Sequence, residues 1–129
     1  MPNRELVHQI ETQLLLALQA GATTAKTSAW FDTKDFDAAT LNIHIGATIG
    51  SAVAYSVHES DDGSTDLGAA PATSVIDDAP TPAASTTIRV GYVGNHRYCN
   101  ITVTPTGATD ITVTGNRFYA AKKPTNNPI

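Results

Sequence analysis

The feature that most constrains this chain is an alternation of apolar and polar residues that begins near residue 40. In the segment TLNIHIGA, Leu41, Ile43 and Ile45 share one face, and the residues between them share the other. A period of two places successive side chains on opposite faces of an extended chain, so it predicts half-buried strands. The alternation therefore predicts an all-β domain.

The pattern recurs at 51–59, 86–94, 97–105 and 109–115, and each segment ends in turn-forming Gly, Pro, Asn or Asp residues. Many short strands separated by such turns are typical of an antiparallel β-sandwich of the jelly-roll or Greek-key type. A chain of 129 residues has the length of one domain. The segment 66–85, rich in proline and alanine, interrupts the rhythm and predicts a long crossover loop with one short strand at 73–77.

The N-terminal region fits two structures. Leu6, Ile10, Leu14 and Leu18 keep a helical spacing, yet Leu14, Leu16 and Leu18 also alternate as in a strand. We therefore leave helix and edge strand open there, and we predict a strand at about 27–33. The predicted organisation is an N-terminal arm at 1–26, a β-sandwich domain at 27–121 and an extended tail at 122–129.

The acidic stretch SVHESDDGSTDL, residues 56–67, is the part of the chain that most resembles a reaction centre or a cation site. A calcium loop needs oxygen ligands at fixed positions followed by a glutamate, and that spacing is missing here. Asp62 followed by Gly63 after an alternating strand is a strong hairpin signal. We predict a solvent-facing hairpin, with a cation site as the alternative.

The remaining reactive residue types give no pattern of a known catalytic or cofactor site. The four histidines lack metal-ligand spacing, which favours surface positions, and Cys99 falls on the apolar face of its strand, which favours the core. We predict no catalytic residues, no metal, no cofactor and no enzyme activity. Trp30 and Phe31 are adjacent, so one should enter the core while the N-terminal arm or a neighbouring subunit covers the other.

Charge and hydropathy exclude two classes of partner. The net charge of −4, without a basic cluster, argues against nucleic-acid binding. The longest apolar run, at 14–18, falls short of the roughly 20 residues that cross a bilayer, so we expect no membrane segment. A single cysteine and no secretory leader predict synthesis in a reducing cytoplasm.

Three segments in fixed order carry a family resemblance: FDTKDFDAATLNIHIGA, then YSVHESDDGSTDLGAAPA, then IRVGYVGNHRYCNITVTPTGATDITVTGNRFYAAKKP. Together they resemble small tailed-phage head proteins in which a similar strand, acidic hairpin, Gly-Tyr-Val-Gly entry and proline-bearing tail follow one another. The resemblance covers residues 31 to about 124. It implies a β-sandwich cement or decoration protein on the exterior of the assembled capsid.

The resemblance implies a virion protein made in the host cytoplasm, with the major capsid protein as partner and a dimeric or trimeric homo-oligomer as its state. We predict capsid or subunit contacts at Leu14, Leu16, Trp30, Val75, Ile76, Pro124 and Ile129. Arg97 is expected to pair with an acid on a neighbouring strand. The alternative function is a carbohydrate- or receptor-binding β-sandwich module of a head fibre or adhesin.

Overall fold

The computed structural model describes residues 10–34, 38–50, 53–77 and 83–118. Its strands are β1 (Ile10–Ala22), β2 (Lys26–Thr27), β3 (Phe31–Asp32), β4 (Ala38–Ile45), β5 (Val53–Ser60), β6 (Val75–Asp77), β7 (Thr86–Tyr92), β8 (Tyr98–Pro105) and β9 (Thr109–Phe118), with a short 3-10 helix at Ala72–Ser74. Among these residues no helix is long and apolar enough to span a bilayer. The predicted strand positions are confirmed, with the differences given below.

The strands form two antiparallel sheets. The larger sheet has the order β1-β9-β4-β7-β6, and in the smaller one β8 lies between β5 on one side and β2 with β3 on the other. The chain passes from one sheet to the other after β1, β3, β4, β5, β7 and β8, which is the winding of a jelly roll. The predicted all-β sandwich is confirmed.

The core lies between the sheets, and the alternation of the sequence explains its composition. Leu41, Ile43, Ile88 and Val113 of the larger sheet and Ile101 of the smaller one are fully buried. Cys99 is also fully buried, as its place on the apolar face predicts. Side chains of alternate parity in the same strands point outward, so each sheet has one face toward the core and one away from it.

The described part of the N-terminal region, from Ile10 to Ala22, is a strand. β1 pairs with β9 at the edge of the larger sheet, and the register shifts between Leu14 and Leu16. Leu15 is the extra residue of this irregularity, and its side chain is buried in the core. An inserted residue changes the direction of the following side chains, so the alternation of Leu14, Leu16 and Leu18 in the sequence does not put these three on one face of the strand. The division of the chain at residues 26 and 121 stays a prediction.

The predicted strand at 27–33 is corrected to two short strands, β2 and β3. Between them the Ser28 N–H bonds the carbonyl of Ile101 in the smaller sheet, while the Ala29 N–H bonds the carbonyl of Leu15 in the larger sheet. One continuous strand cannot hydrogen bond to both sheets. The regular strand pairing is therefore interrupted at this corner of the sandwich. Phe31 then returns to the core with no exposed surface, while Trp30 is half-buried.

Candidate interaction surface and polar clusters

The outward face of the larger sheet carries three rows of side chains in register across the strands. Because paired residues point to the same side of a sheet, the strand register defines the rows. We call this surface the threonine face: Ile76, Gly91, Thr40, Asn116 and Thr12; Arg89, Asn42, Thr114 and Leu14; Thr87, His44 and Thr112. Within these rows the charged side chain is Arg89.

Hydrogen bonds hold the polar side chains of the threonine face in place. His44 contacts the Thr87 hydroxyl at 3.1 Å through Nδ1 and the Thr114 hydroxyl at 2.9 Å through Nε2. The Thr12 hydroxyl donates to the Asn116 side-chain oxygen at 2.8 Å. The result is a surface of hydrogen-bonded neutral side chains with one charged group, Arg89, and with large apolar groups at its two edges.

The predicted contact residues divide into three groups. Leu14 and Ile76 lie at opposite edges of the threonine face, with exposures of 58% and 62%. Leu16 and Val75 pack against the core, and Trp30 is half-buried. Pro124 and Ile129 lie outside the described residues. The contact roles of all seven stay predictions.

The acidic stretch forms the predicted hairpin. After β5, the chain turns at 61–65 and returns along the edge of that strand, where the Leu67 N–H donates to the Glu59 carbonyl and the Ala70 N–H donates to the Val57 carbonyl. The φ of Gly63 is 76°, a conformation that favours glycine in a tight turn. The hairpin prediction is confirmed.

Asp62 organises the turn of this hairpin. Its carboxylate accepts hydrogen bonds from the backbone N–H groups of Thr65 and Ser64 and from the hydroxyls of Ser60 and Thr65. These donors lower the pKa of Asp62, with the Thr65 amide as the largest cause. Among the described residues no group of three or more His, Cys, Asp or Glu side chains is arranged to hold a metal ion. The Asp62 carboxylate therefore shapes the loop.

A second cluster ties the returning strand of the hairpin to β5. The Ser56 hydroxyl lies 3.2 Å from His58 Nε2, and His58 Nδ1 lies 2.9 Å from an Asp66 oxygen. Asp66 also accepts from the Gly68 N–H, and this bond is the largest cause of its lowered pKa. Serine hydroxyl, histidine ring and aspartate follow one another here in the same order as in the catalytic triad of serine hydrolases.

Backbone geometry argues that the Ser56 cluster is a structural one. In α/β-hydrolases the nucleophile sits on a sharp, strained turn, whereas Ser56 lies in the middle of β5 opposite Thr102 of β8. The cluster also spans an open sheet face, since the Asp66 side chain is 52% exposed. We interpret these bonds as a clasp that fixes the hairpin against β5.

The third cluster lies where the hairpin meets the loop between β7 and β8. Glu59 is buried, with an exposure of 7%, and its Oε2 accepts a 2.7 Å hydrogen bond from the Tyr92 hydroxyl. Burial and this bond raise the pKa of Tyr92. His96 Nδ1 lies 2.6 Å from Asp61, and this contact raises the pKa of His96. The cluster joins two loops to the end of the core.

Arg97 has the acidic partner that the sequence predicts. Its Nε and Nη2 groups donate to the two carboxylate oxygens of Asp32 on β3 at 2.9 and 2.8 Å. The two-pronged bond lowers the pKa of Asp32 to about 2, against the smaller opposing effect of burial. Arg97 also lies over the Tyr98 ring at 4.9 Å. This pair fixes the end of β8 to β3.

Sequence reasoning placed the histidines on the surface and did not find their partners. His44, His58 and His96 are half-buried, and each is hydrogen bonded to a residue that the register or a loop brings near. One signal was available for His58. Ser56 and His58 share a strand face, and a short hairpin after β5 places Asp66 beside them. His8 lies outside the described residues.

Comparison of the sequence with protein families and with curated proteins finds no match. The structure is similar to that of the SPBc2 prophage-derived protein YomS, with a TM-score of 0.53 and 14% identity over 84% of this chain and 91% of that chain. It also matches a structure from the work titled "Bacillus endospore appendages form a novel family of disulfide-linked pili", at a TM-score of 0.45 and 11% identity over 88% of this chain and 90% of that chain. The second likeness is too weak to support a conclusion. The first shows that the chain shares its fold with a prophage-derived protein.

Proposed function

We propose that this chain is a structural virion protein that binds the outside of an assembled phage head and stabilises it. The observation that carries the proposal is the distribution of exposed large apolar side chains over separate parts of a rigid sandwich. They lie on β1, on the returning strand of the hairpin, on β6 and just after β7: Leu14, Leu18, Leu67, Ile76 and Val93, all more than half exposed. A cement protein needs contacts on more than one side because it bridges neighbouring subunits.

The use of the polar residues supports the same proposal. Asp66, Asp32 and Glu59 each bond groups of a neighbouring loop or strand, and Asp62 bonds groups of its own turn, so these carboxylates serve to hold loops in place. The buried thiol of Cys99 is also unsuited to chemistry, because burial raises its pKa to about 12. A rigid module of this kind functions by binding.

The fold likeness to a prophage-derived protein supports a phage origin. The partner we propose is the major capsid protein, met on the capsid exterior after assembly. By mass action, a protein that binds the assembled shell better than the separated subunits shifts the equilibrium toward the shell. Stabilisation therefore follows from preferential binding alone, without a reaction.

The test mixes the purified protein with phage heads that lack it. The heads are pelleted, bound protein is titrated, and heat-induced DNA release is followed with and without the protein. We expect saturable binding at a fixed ratio to capsid subunits and release at a higher temperature. Binding without a shift would contradict the stabilising role. Failure to pellet, together with retention on host-cell glycans, would favour the carbohydrate- or receptor-binding module.

A further inference from the structure

The charges of the described residues are unevenly divided between the two sides of the sandwich. The smaller sheet and its hairpin carry most of the described carboxylates: Asp32, Glu59, Asp61, Asp62 and Asp66. The threonine face lacks acidic side chains in its three rows. Asp110 lies at the end of β9 beyond those rows, and its two oxygens accept from the backbone N–H groups of Gly21 and Thr48. The acidic chain thus has one broad face without exposed negative charge in its rows.

The distribution of charge favours one surface over the others for contact between two copies of the chain. With a net charge of −4, two copies repel one another most where their carboxylates approach. Contact through the hairpin would place Asp61 and Asp62, both exposed, near their counterparts. Contact through the threonine face keeps these groups on the far sides of the pair.

The chemistry of the threonine face also suits pairing with itself. A two-fold interface brings the same patch of both copies together, so every group must be able to face its own kind. A threonine hydroxyl both donates and accepts hydrogen bonds, and the half-buried Asn116 amide does the same. A carboxylate or an ammonium group cannot, so Arg89, the charged side chain of the rows, must meet hydroxyl or amide oxygens of the other copy. The apolar edges at Leu14 and Ile76, exposed by 58% and 62%, add surface that burial would remove from water.

We propose that the threonine face is the site where two copies of this chain pack sheet against sheet as a two-fold dimer. The dimer places two larger sheets face to face at about 10 Å, the usual spacing of stacked sheets. The acidic hairpins then point away from the interface on both sides. This inference goes beyond the proposed function, because it assigns Leu14 and Ile76 to the contact between copies and leaves Leu18, Leu67 and Val93 for the capsid. Its test needs no capsid.

The test measures the molecular mass of the purified protein by sedimentation equilibrium over a range of concentrations. The wild-type chain is expected to dimerise. Leu14→Glu and Ile76→Glu should each raise the dissociation constant by about tenfold or more, because each places two carboxylates, one from each copy, in an interface whose rows hold no other carboxylate. Leu67→Glu is the matched control, since it changes a leucine that is 51% exposed on the hairpin and should leave the constant unchanged. Circular dichroism shows that each variant is folded.

Four outcomes would overturn the proposal. They are a monomeric wild-type protein at all concentrations, a trimer, an equal effect of Leu67→Glu, and an effect of Leu14→Glu without one of Ile76→Glu, which would indicate pairing through the β1 edge. Particle binding is measured separately on the monomeric variants. A loss of dimers with particle binding retained leaves the cement function intact, whereas dimers that bind no particles contradict the function alone.

Discussion

At the scale of the residue, the buried carboxylate of Glu59 is the group whose environment matters most. A carboxylate removed from water is costly unless donors replace its hydration. Here the Tyr92 hydroxyl donates to Glu59 Oε2 at 2.7 Å, and His96 Nε2 lies 3.8 Å from Oε1. The Tyr92 oxygen in turn accepts from the His96 N–H at 3.3 Å. The Tyr92 hydroxyl therefore connects the loop after β7 to the buried carboxylate of Glu59.

The first prediction removes that hydroxyl. Tyr92→Phe should lower the free energy of unfolding by about 1.5 to 3 kcal/mol, since the Glu59 carboxylate loses a charged hydrogen bond in a buried place. Urea denaturation measures the change. Tyr98→Phe, at a half-buried tyrosine, should cost less than about 0.5 kcal/mol. Equal effects of the two changes would show that the Glu59 bond contributes nothing specific.

The second prediction concerns pH. Asp61 raises the pKa of His96 above its usual 6.5, so the folded protein favours the protonated ring. The resulting stability is fully present below pH 6.5 and is lost as the pH rises through the raised pKa. The stability advantage of the wild type over His96→Gln should therefore be larger at about pH 5.5 than at about pH 8.5.

Chemical denaturation of both proteins at the two pH values checks this prediction. The other histidines are the same in both proteins, so their contributions largely cancel in the difference. A constant difference would mean that the contact of His96 with Asp61 does not favour the charged ring in solution. Asp61→Asn should reduce the pH dependence in the same way, because it removes the negative partner.

The sequence predicts single residues well where parity alone decides. It placed Cys99 in the core, divided Trp30 from Phe31 and gave Arg97 an acidic neighbour. It could not join His96 to Asp61 or Glu59 to Tyr92, because those pairs depend on how two loops meet at one end of the sandwich. Loop conformation is set by tertiary contacts, which a local pattern does not contain.

At the scale of the element, β1 shows how one inserted residue changes a surface. The irregularity between Leu14 and Leu16 directs both Leu15 and Leu16 toward the core, while Leu14 stays on the threonine face. The space for Leu15 depends on Gly115 of β9, where a Cβ atom would lie 2.9 Å from Leu15 Cδ1 and 2.7 Å from Phe31 Cε2. Because Gly115 has no side chain, Leu15 and Phe31 can both pack against it.

The third prediction tests this packing. Gly115→Ala should cost about 1 to 3 kcal/mol of unfolding free energy, because the added methyl group overpacks the core against Phe31. Gly91→Ala is the control in β7 of the same sheet, since the nearest atom there, the Ile76 carbonyl oxygen, is 3.4 Å from the added carbon. That change should stay within about 0.5 kcal/mol. Similar costs would show that backbone preference, not packing, decides the result.

The alternation of the sequence predicts β4, β5, β7, β8 and β9 because these strands have one face in the core. It cannot predict the break between β2 and β3, where Ser28 and Ala29 bond to different sheets. It also leaves β1 ambiguous, since the irregular register removes the period that separates a strand from a helix. The conformation of elements at the edges and corners of a sandwich is set by contacts with residues that are distant in sequence.

At the scale of the whole molecule, Cys99 can report on global unfolding. Its side chain has no exposed surface, and burial raises its pKa to about 12. We predict that a thiol reagent at low concentration modifies it only in the open protein, so the labelling rate should rise with urea in parallel with the unfolded fraction. The fully denatured protein supplies the intrinsic rate. Fast labelling independent of urea would mean that a local movement exposes the thiol.

The sequence indicated the all-β class and the need for a crossing between two sheets, but it did not indicate which face would be free of acidic groups. That asymmetry appears only when the register brings Thr40, Asn116 and Thr12 into one row with Ile76. Leu14 and Ile76, distant in sequence, thereby become opposite edges of the same surface. Which residues share a surface depends on how the strands pair, and the paired strands are distant in sequence.

The pairing of the first described strand with the last one has a consequence for synthesis on the ribosome. β1 ends at Ala22, and its partner begins at Thr109. At about 5 to 20 residues per second, β1 emerges and then waits for roughly 4 to 20 seconds before β9 exists. During that interval its leucines have no sheet to join, so the nascent chain offers a chaperone an apolar segment that the finished protein divides between its core and its surface.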